Sequence, residues 1–198
     1  MKILISLLFF INLVAQDNYS LRLAYGKASQ NDLGNIISGN LGTHLKDLTV
    51  FALDSWYLLN ENIFELPLDL YFKGAFAYFD EDDFNSNYEL ALYFKLYWNI
   101  DYFDNRIRVG FGEGVSYTKS ILETEYLEAQ EKNDKNSHIL NYIDISLDFN
   151  LGRVMSYKPL YNAYLGYALK HRSGIFGLIN DVEKGGSNYN TFYIEINF

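Results

Sequence analysis

The sequence predicts an all-β fold, an exported outer-membrane barrel of eight antiparallel strands, and three observations lead there. The N-terminus looks like an export signal. Apolar and polar residues alternate with period two over stretches too long for a soluble sandwich. Aromatic residues are far too numerous for an ordinary core.

The export signal comes first along the chain. Met1-Lys2 is followed by an apolar run from Ile3 to Val14, and then by the small residue Ala15 before Gln16 and Asp17. A basic residue, an apolar stretch and a small residue are the three parts of a secretory signal peptide. The run is shorter than the roughly 20 apolar residues a membrane helix needs. Residues 1–15 are therefore expected to be cleaved, leaving 16–198 as a single barrel domain.

Composition narrows the class. Tyr (18), Phe (15) and Trp (2) make up 18% of the chain, yet mean hydropathy is slightly polar at −0.12. Amphipathic rings in such numbers suit the two water–lipid interfaces around a barrel. With Lys2 removed, 15 basic residues stand against 25 acidic ones, a mature charge of −10. That acidity argues against nucleic acid as a partner. The chain has no cysteine, so no disulfide is expected. Only two prolines, Pro67 and Pro159, interrupt its capacity to donate hydrogen bonds to a sheet.

The strands follow in order. The clearest runs from Tyr88 to Tyr102, where Tyr88, Leu90, Leu92, Phe94, Leu96, Trp98, Ile100 and Tyr102 alternate with Glu89, Ala91, Tyr93, Lys95, Tyr97, Asn99 and Asp101. One face is large and apolar, the other polar or small, over the length a tilted membrane strand requires. The same pattern recurs at 66–78, 143–151 and 192–198. Weaker versions occupy 20–27, 48–58, 106–117 and 160–173, which makes eight strands. Short connections at 60–62, 104–105 and 153–158 are expected to alternate with longer ones at 28–47, 80–86, 118–137 and 174–187. That alternation fits periplasmic turns and extracellular loops. Phe198 ends the chain on an aromatic residue, as is common in outer-membrane barrels.

An eight-stranded barrel is just wide enough for its interior to be filled by side chains. Asp69, Lys73, Glu89, Lys95, Arg106, Arg108, Asp144 and Asp148 are expected to point inward and pair, which argues against a diffusion pore. Gly110-Phe111-Gly112-Glu113-Gly114 lacks the strand–loop–helix setting of a phosphate loop. Its glycines share the inward face and are expected to make room for Arg106, Arg108 and tyrosines. Glu113 falls on the lipid face, a costly place unless it sits near the headgroups or a bulge shifts the register. The acidic stretch 118–137 reads as a solvated extracellular loop.

Of three histidines, His44 and His138 lie at loop boundaries and lack metal-ligand spacing, so no metal is expected. His171 is followed by Arg172-Ser173. Residues two apart on a strand share a face, so an imidazole and a hydroxyl can meet there, as nucleophilic catalysis needs. Counting from Tyr161, Ala163, Leu165, Tyr167 and Leu169, both fall on the outer face at the upper end of the strand, and Arg172 on the inner.

These residues carry a resemblance. The stretch 164–198, with His171-Arg172-Ser173 ending the penultimate strand, Gly185-Gly186-Ser187-Asn188 in the following loop and Phe198 at the end, resembles the lipid A 3-O-deacylase (PagL-type) family of outer-membrane barrels. The resemblance implies an eight-stranded barrel with a serine esterase site on its outer wall. There a histidine and a serine are completed by a downstream glutamate, and an ester-linked acyl chain is hydrolysed from the lipid A of lipopolysaccharide. It implies no cofactor. This chain departs from the pattern in two places. Gly174 follows the serine where the family usually has asparagine, and Asn188 stands where the family has its glutamate. Asn188 or Glu183 is then the third member beside His171 and Ser173, or the site is degenerate. The alternative to an esterase is a non-catalytic small barrel with a structural or binding role. On either reading the chain is integral to the outer membrane of a Gram-negative cell, and the sequence leaves room for a homodimer.

Overall fold

The computed structural model describes residues 18–81 and 86–198; the expected signal peptide, 1–15, lies outside the described residues. Eight strands run in chain order: β1 Tyr19–Ser29, β2 Thr49–Asn60, β3 Leu68–Asp80, β4 Asn87–Tyr102, β5 Asn105–Thr118, β6 Ile139–Asn150, β7 Ala163–Ser173 and β8 Gly186–Asn197. Each pairs antiparallel with its neighbours, and β8 returns to β1, closing the barrel. Closure matters because it leaves no strand edge with unpaired backbone. Among the described residues no helix is long and apolar enough to cross a membrane.

The alternation read from the sequence sorts the two faces. Leu90, Leu92 and Phe94 are more than half exposed on the outside, while Ala91, Tyr93 and Tyr97 are buried within. The outer belt is apolar around the barrel, as a bilayer requires. It is edged by aromatic pairs, Tyr19–Tyr57 toward the turn end and Tyr78–Tyr88 toward the loop end, with ring centroids 5.2 and 5.4 Å apart.

The inside is a plug of ion pairs. Arg22 donates to Asp54 and, at 2.5 Å, to Asp144, and Asp144 also accepts from Lys95. Lys170 reaches Asp54 at 3.2 Å. A second cluster joins Arg108 to Asp148 (2.8 Å) and Glu195 (2.7 Å), and Lys73 to Glu195 (3.2 Å). Each charge is almost fully buried and has partners, which is the condition for burying charge at all. Higher up, beside Glu89, Tyr142 and Tyr189, a void of about 10 Å³ remains, too small for more than about one water. The barrel is filled.

The expected inward charges hold for Lys73, Glu89, Lys95, Arg108, Asp144 and Asp148. Asp69 and Arg106 keep the inward parity but lie partly exposed at the turn-end rim, where Arg106 pairs with Asp101 at 2.8 Å. Gly110 and Gly112 do not make room for arginines. A Cβ on Gly110 would meet Lys95 and Tyr97 at 2.6 and 2.7 Å, and one on Gly112 would meet Tyr93 at 2.8 Å, so the glycines admit two tyrosines and a lysine. Connection lengths alternate less strictly than expected. The turn-end segment 151–162, built on the short helix Leu151–Val154, outruns the loop-end segment 81–86.

The acidic stretch after β5 is not simply a solvated loop. Its helix α1, Glu123–Lys132, begins on the carboxylate of Glu81, which accepts from the Glu123 amide at 2.6 Å. Leu122, Glu123 and Glu125 are buried beneath it, closing the barrel's mouth. Burial pushes the Glu81 carboxyl up to about 7, opposed by that hydrogen bond and reinforced by the charges of Glu123 and Glu125.

Above the belt the polarity of the wall inverts at Asn141 on β6 and along β7 and β8. Leu48, Val50, Phe79, Leu122 and Leu140 are buried toward the inside of the mouth, while Asn141, His171, Ser173, Asn188 and Asn190 lie on the outer face. Inversion hides the earlier start of β6, at Ile139, and of β8, at Gly186, from a search for apolar outward residues.

Candidate active site on the outer wall

His171, Ser173 and Asn188 come together on the outer face near the loop end. His171 and Ser173 are two apart on β7, and Asn188 on β8 is paired across from His171. His171 is 9% exposed, and its Nδ1 lies 2.8 Å from Asn188 Oδ1.

The amide of Asn188 has its orientation fixed from the other side. The loop after β1 folds down over the outer wall, and Asn188 Nδ2 donates to the backbone oxygen of Asn31 at 3.1 Å. Asn190, two residues on, donates to the Leu41 oxygen at 3.0 Å, and Ser29 Oγ to the same oxygen at 2.7 Å. With Nδ2 committed to a carbonyl, Oδ1 must be the acceptor facing His171. Nδ1 then carries the proton and Nε2 keeps its lone pair. A neutral imidazole with its Nε2 unprotonated is what a general base requires.

The start of β8 is held by α1. Glu128 accepts from the Gly186 amide at 2.8 Å, and Glu125 from Ser187 Oγ at 2.9 Å. Glu125 is tied in turn to Arg172 at 3.2 Å, so Arg172 faces inward and serves the mouth, as its position in the alternation predicts. The segment before β8 is stapled by Asp134, whose carboxylate accepts from the amides of Glu183, Lys184, Gly185 and Lys135. Slight burial pushes that carboxyl up, but the four donors hold it down at about 2.

Glu183, the other candidate third member, is exposed and lines the rim of the groove without bonding to His171. Of the two candidates, Asn188 is the one bonded to His171. Among the described residues no hydrogen bond joins His171 to Ser173. Such contacts are commonly open before substrate binds. A groove of about 750 Å³ runs past both, with Ile143, Ile175 and Phe176 as apolar wall and Lys132 and Lys184 at its edge.

Two groove residues were not legible as site residues. Glu113 needs no bulge to explain its exposure. It continues the row Glu113–Ile143–His171–Asn188 across four strands and lines the groove mouth. Asn141 pairs across from Ser173; only the β6–β7 register reveals it. His44 and His138 stay in loop contacts, His138 Nδ1 lying 2.9 Å from the Thr118 oxygen.

No protein-family description matches the chain, and no curated protein matches it in sequence. Solved structures do match in shape. The outer membrane enzyme PagL superposes with a TM-score of 0.60 at 11% identity, over 90% of this chain and 99% of that one. Neisserial surface protein A (NspA) superposes with a TM-score of 0.52, also at 11% identity, over 92% and 98%. Identity this low carries the fold and nothing finer. The chain is similar in architecture to these eight-stranded outer-membrane barrels.

Proposed function

We propose that the chain is an outer-membrane serine esterase that removes an ester-linked acyl chain from the lipid A of lipopolysaccharide. The observation that carries this is the chain of hydrogen bonds from the Asn31 carbonyl through Asn188 to His171 Nδ1, which leaves Nε2 unprotonated on the face that presents Ser173. The site opens sideways from the upper wall, where an ester between a sugar and a fatty acid would lie in the outer leaflet. The apolar belt below it would take the acyl chain.

The chemistry follows from the positions. His171 Nε2 takes the Ser173 proton as Oγ bonds to the ester carbonyl carbon, and the carbonyl π pair moves onto oxygen. Collapse breaks the carbon–alkoxide bond, and the imidazolium returns its proton to the departing sugar hydroxyl. Water then repeats the sequence on the acyl-serine, releasing the fatty acid. Asn188 holds the tautomer and ring, but brings no charge to the imidazolium.

The open His171–Ser173 contact favours the second reading, a non-catalytic barrel. Mass spectrometry of lipid A from cells making the parent, Ser173→Ala, His171→Ala, Asn188→Ala or Glu183→Ala separates the two. The esterase reading expects acyl loss with the parent and none with the serine or histidine variants. Asn188→Ala should be reduced and Glu183→Ala near the parent. Lipid A left intact by the parent, or deacylated as well by Ser173→Ala, overturns it.

A further inference from the structure

Ser173 lies directly across the strand pair from Asn141, on the same outer face. Asn141 is only 4% exposed, and its Nδ2 is buried with no hydrogen-bond partner. Buried amide donors are rarely left unpaired, and an orphan beside a reactive group points to a ligand atom that completes it. Both residues line the groove that runs past His171.

We infer that the Asn141 side-chain amide is the donor that binds the oxyanion formed when Ser173 attacks the ester; this rests on the reading of Ser173 as nucleophile. Directly opposed residues have Cβ atoms about 5 Å apart. An ester carbon bonded to Ser173 Oγ can therefore bring its oxygen within about 3 Å of an amide reaching over from β6. His171 approaches from a different side. It sits two residues down β7, diagonal to Asn141, so it can take the serine proton without crowding the oxygen. The base works along one strand and the oxyanion donor across from the next.

The donor has a specific catalytic signature. A hydrogen bond that strengthens only as charge develops on the oxygen raises kcat and leaves substrate binding nearly unchanged.

The test compares parent, Ser173→Ala, Asn141→Ala and Asn141→Asp, each first shown to be a heat-modifiable barrel, on lipopolysaccharide in detergent micelles. Both Asn141 variants should lose about 10²–10³ in kcat with KM changed by less than about threefold. Affinity for an alkyl boronate, which forms a tetrahedral anion on serine, should fall in the same proportion. Asn141→Asp keeps the shape, removes the donor and turns an acceptor toward the oxyanion, so it carries the test if the alanine variant does not fold, while Asn141→Ala reads the loss of the donor without added charge. Asn141→Asp turning over at the parent rate overturns the inference, as does Asn141→Ala within about threefold of parent kcat. An inactive parent, or Ser173→Ala as active as the parent, instead fails the esterase reading itself.

Discussion

Replacing Asn188 by aspartate tests the orienting hydrogen bond by adding what it lacks. Asn188 Oδ1 is 2.8 Å from His171 Nδ1, so a carboxylate there would lie about 4 Å from the centre of the imidazolium that forms during attack. At an effective dielectric of about 20 this attraction is worth up to about 4 kcal/mol. Against it stands the lost donor to the Asn31 oxygen, now replaced by two facing acceptors, which takes back about 1–3 kcal/mol. The balance, about 1–3 kcal/mol, favours the charged transition state and predicts a rise in kcat of about tenfold or more for Asn188→Asp. The assay is the initial rate of fatty-acid release from lipopolysaccharide micelles, with Ser173→Ala as the blank. An aspartate variant no faster than Asn188→Ala would show that residue 188 tethers the loop and does not serve the imidazole.

Two further outcomes follow from the fold. Arg22 holds Asp54 and Asp144 at the centre of the plug, and removing one partner of a buried ion pair costs about 3–5 kcal/mol. Lys170 and Lys95 remain on those carboxylates, so Arg22→Met should cost about 3 kcal/mol in urea unfolding from lipid vesicles, followed through Trp98 on the outer wall. Adding Asp144→Asn should recover at least about 1 kcal/mol of it; a single variant within about 0.5 kcal/mol of parent refutes the plug as a stability element. Asp134 titrates in the fold at about 2, below its ordinary 3.8, so its staple on 183–185 is fully present above pH 3.8 and is lost as pH falls through about 2. Amide exchange at 183–185 should be slow at pH 5 and accelerate in Asp134→Ala. Equal protection in the variant would mean other contacts hold the loop.

Most of the barrel was legible because its middle obeys one rule. In β4, every even residue from Tyr88 to Trp98 meets the outside and every odd one the plug, so alternation gives both strand and face. The same counting places His171, Ser173 and Asn188 on one side. It falters where the rule reverses. At Leu140 and Asn141 the apolar residue points in and the polar one out, so β6 starts before the pattern shows it. Asn141 stayed hidden for a second reason, since antiparallel register depends on loop geometry and packing, which one strand's periodicity does not encode. The central cations Arg22 and Lys170 lie in strands whose alternation is weak, and only closure of the barrel brings them to partners from other strands.

On the esterase reading, the strap from the first loop ties catalysis to the order of assembly. Asn188 lies next to Ser29 across the β1–β8 seam, and the carbonyl that orients its amide belongs to Asn31, just beyond β1. These strands come from opposite ends of the chain, so the seam is the pairing of greatest sequence separation and carries the largest loop-closure cost. Until it zips shut the Asn188 amide has no reason to prefer one rotation, and His171 has no fixed tautomer. A partly inserted chain, with its outer wall exposed to other cell-envelope esters, therefore carries a serine without an oriented base. Completing the barrel is the step that arms it.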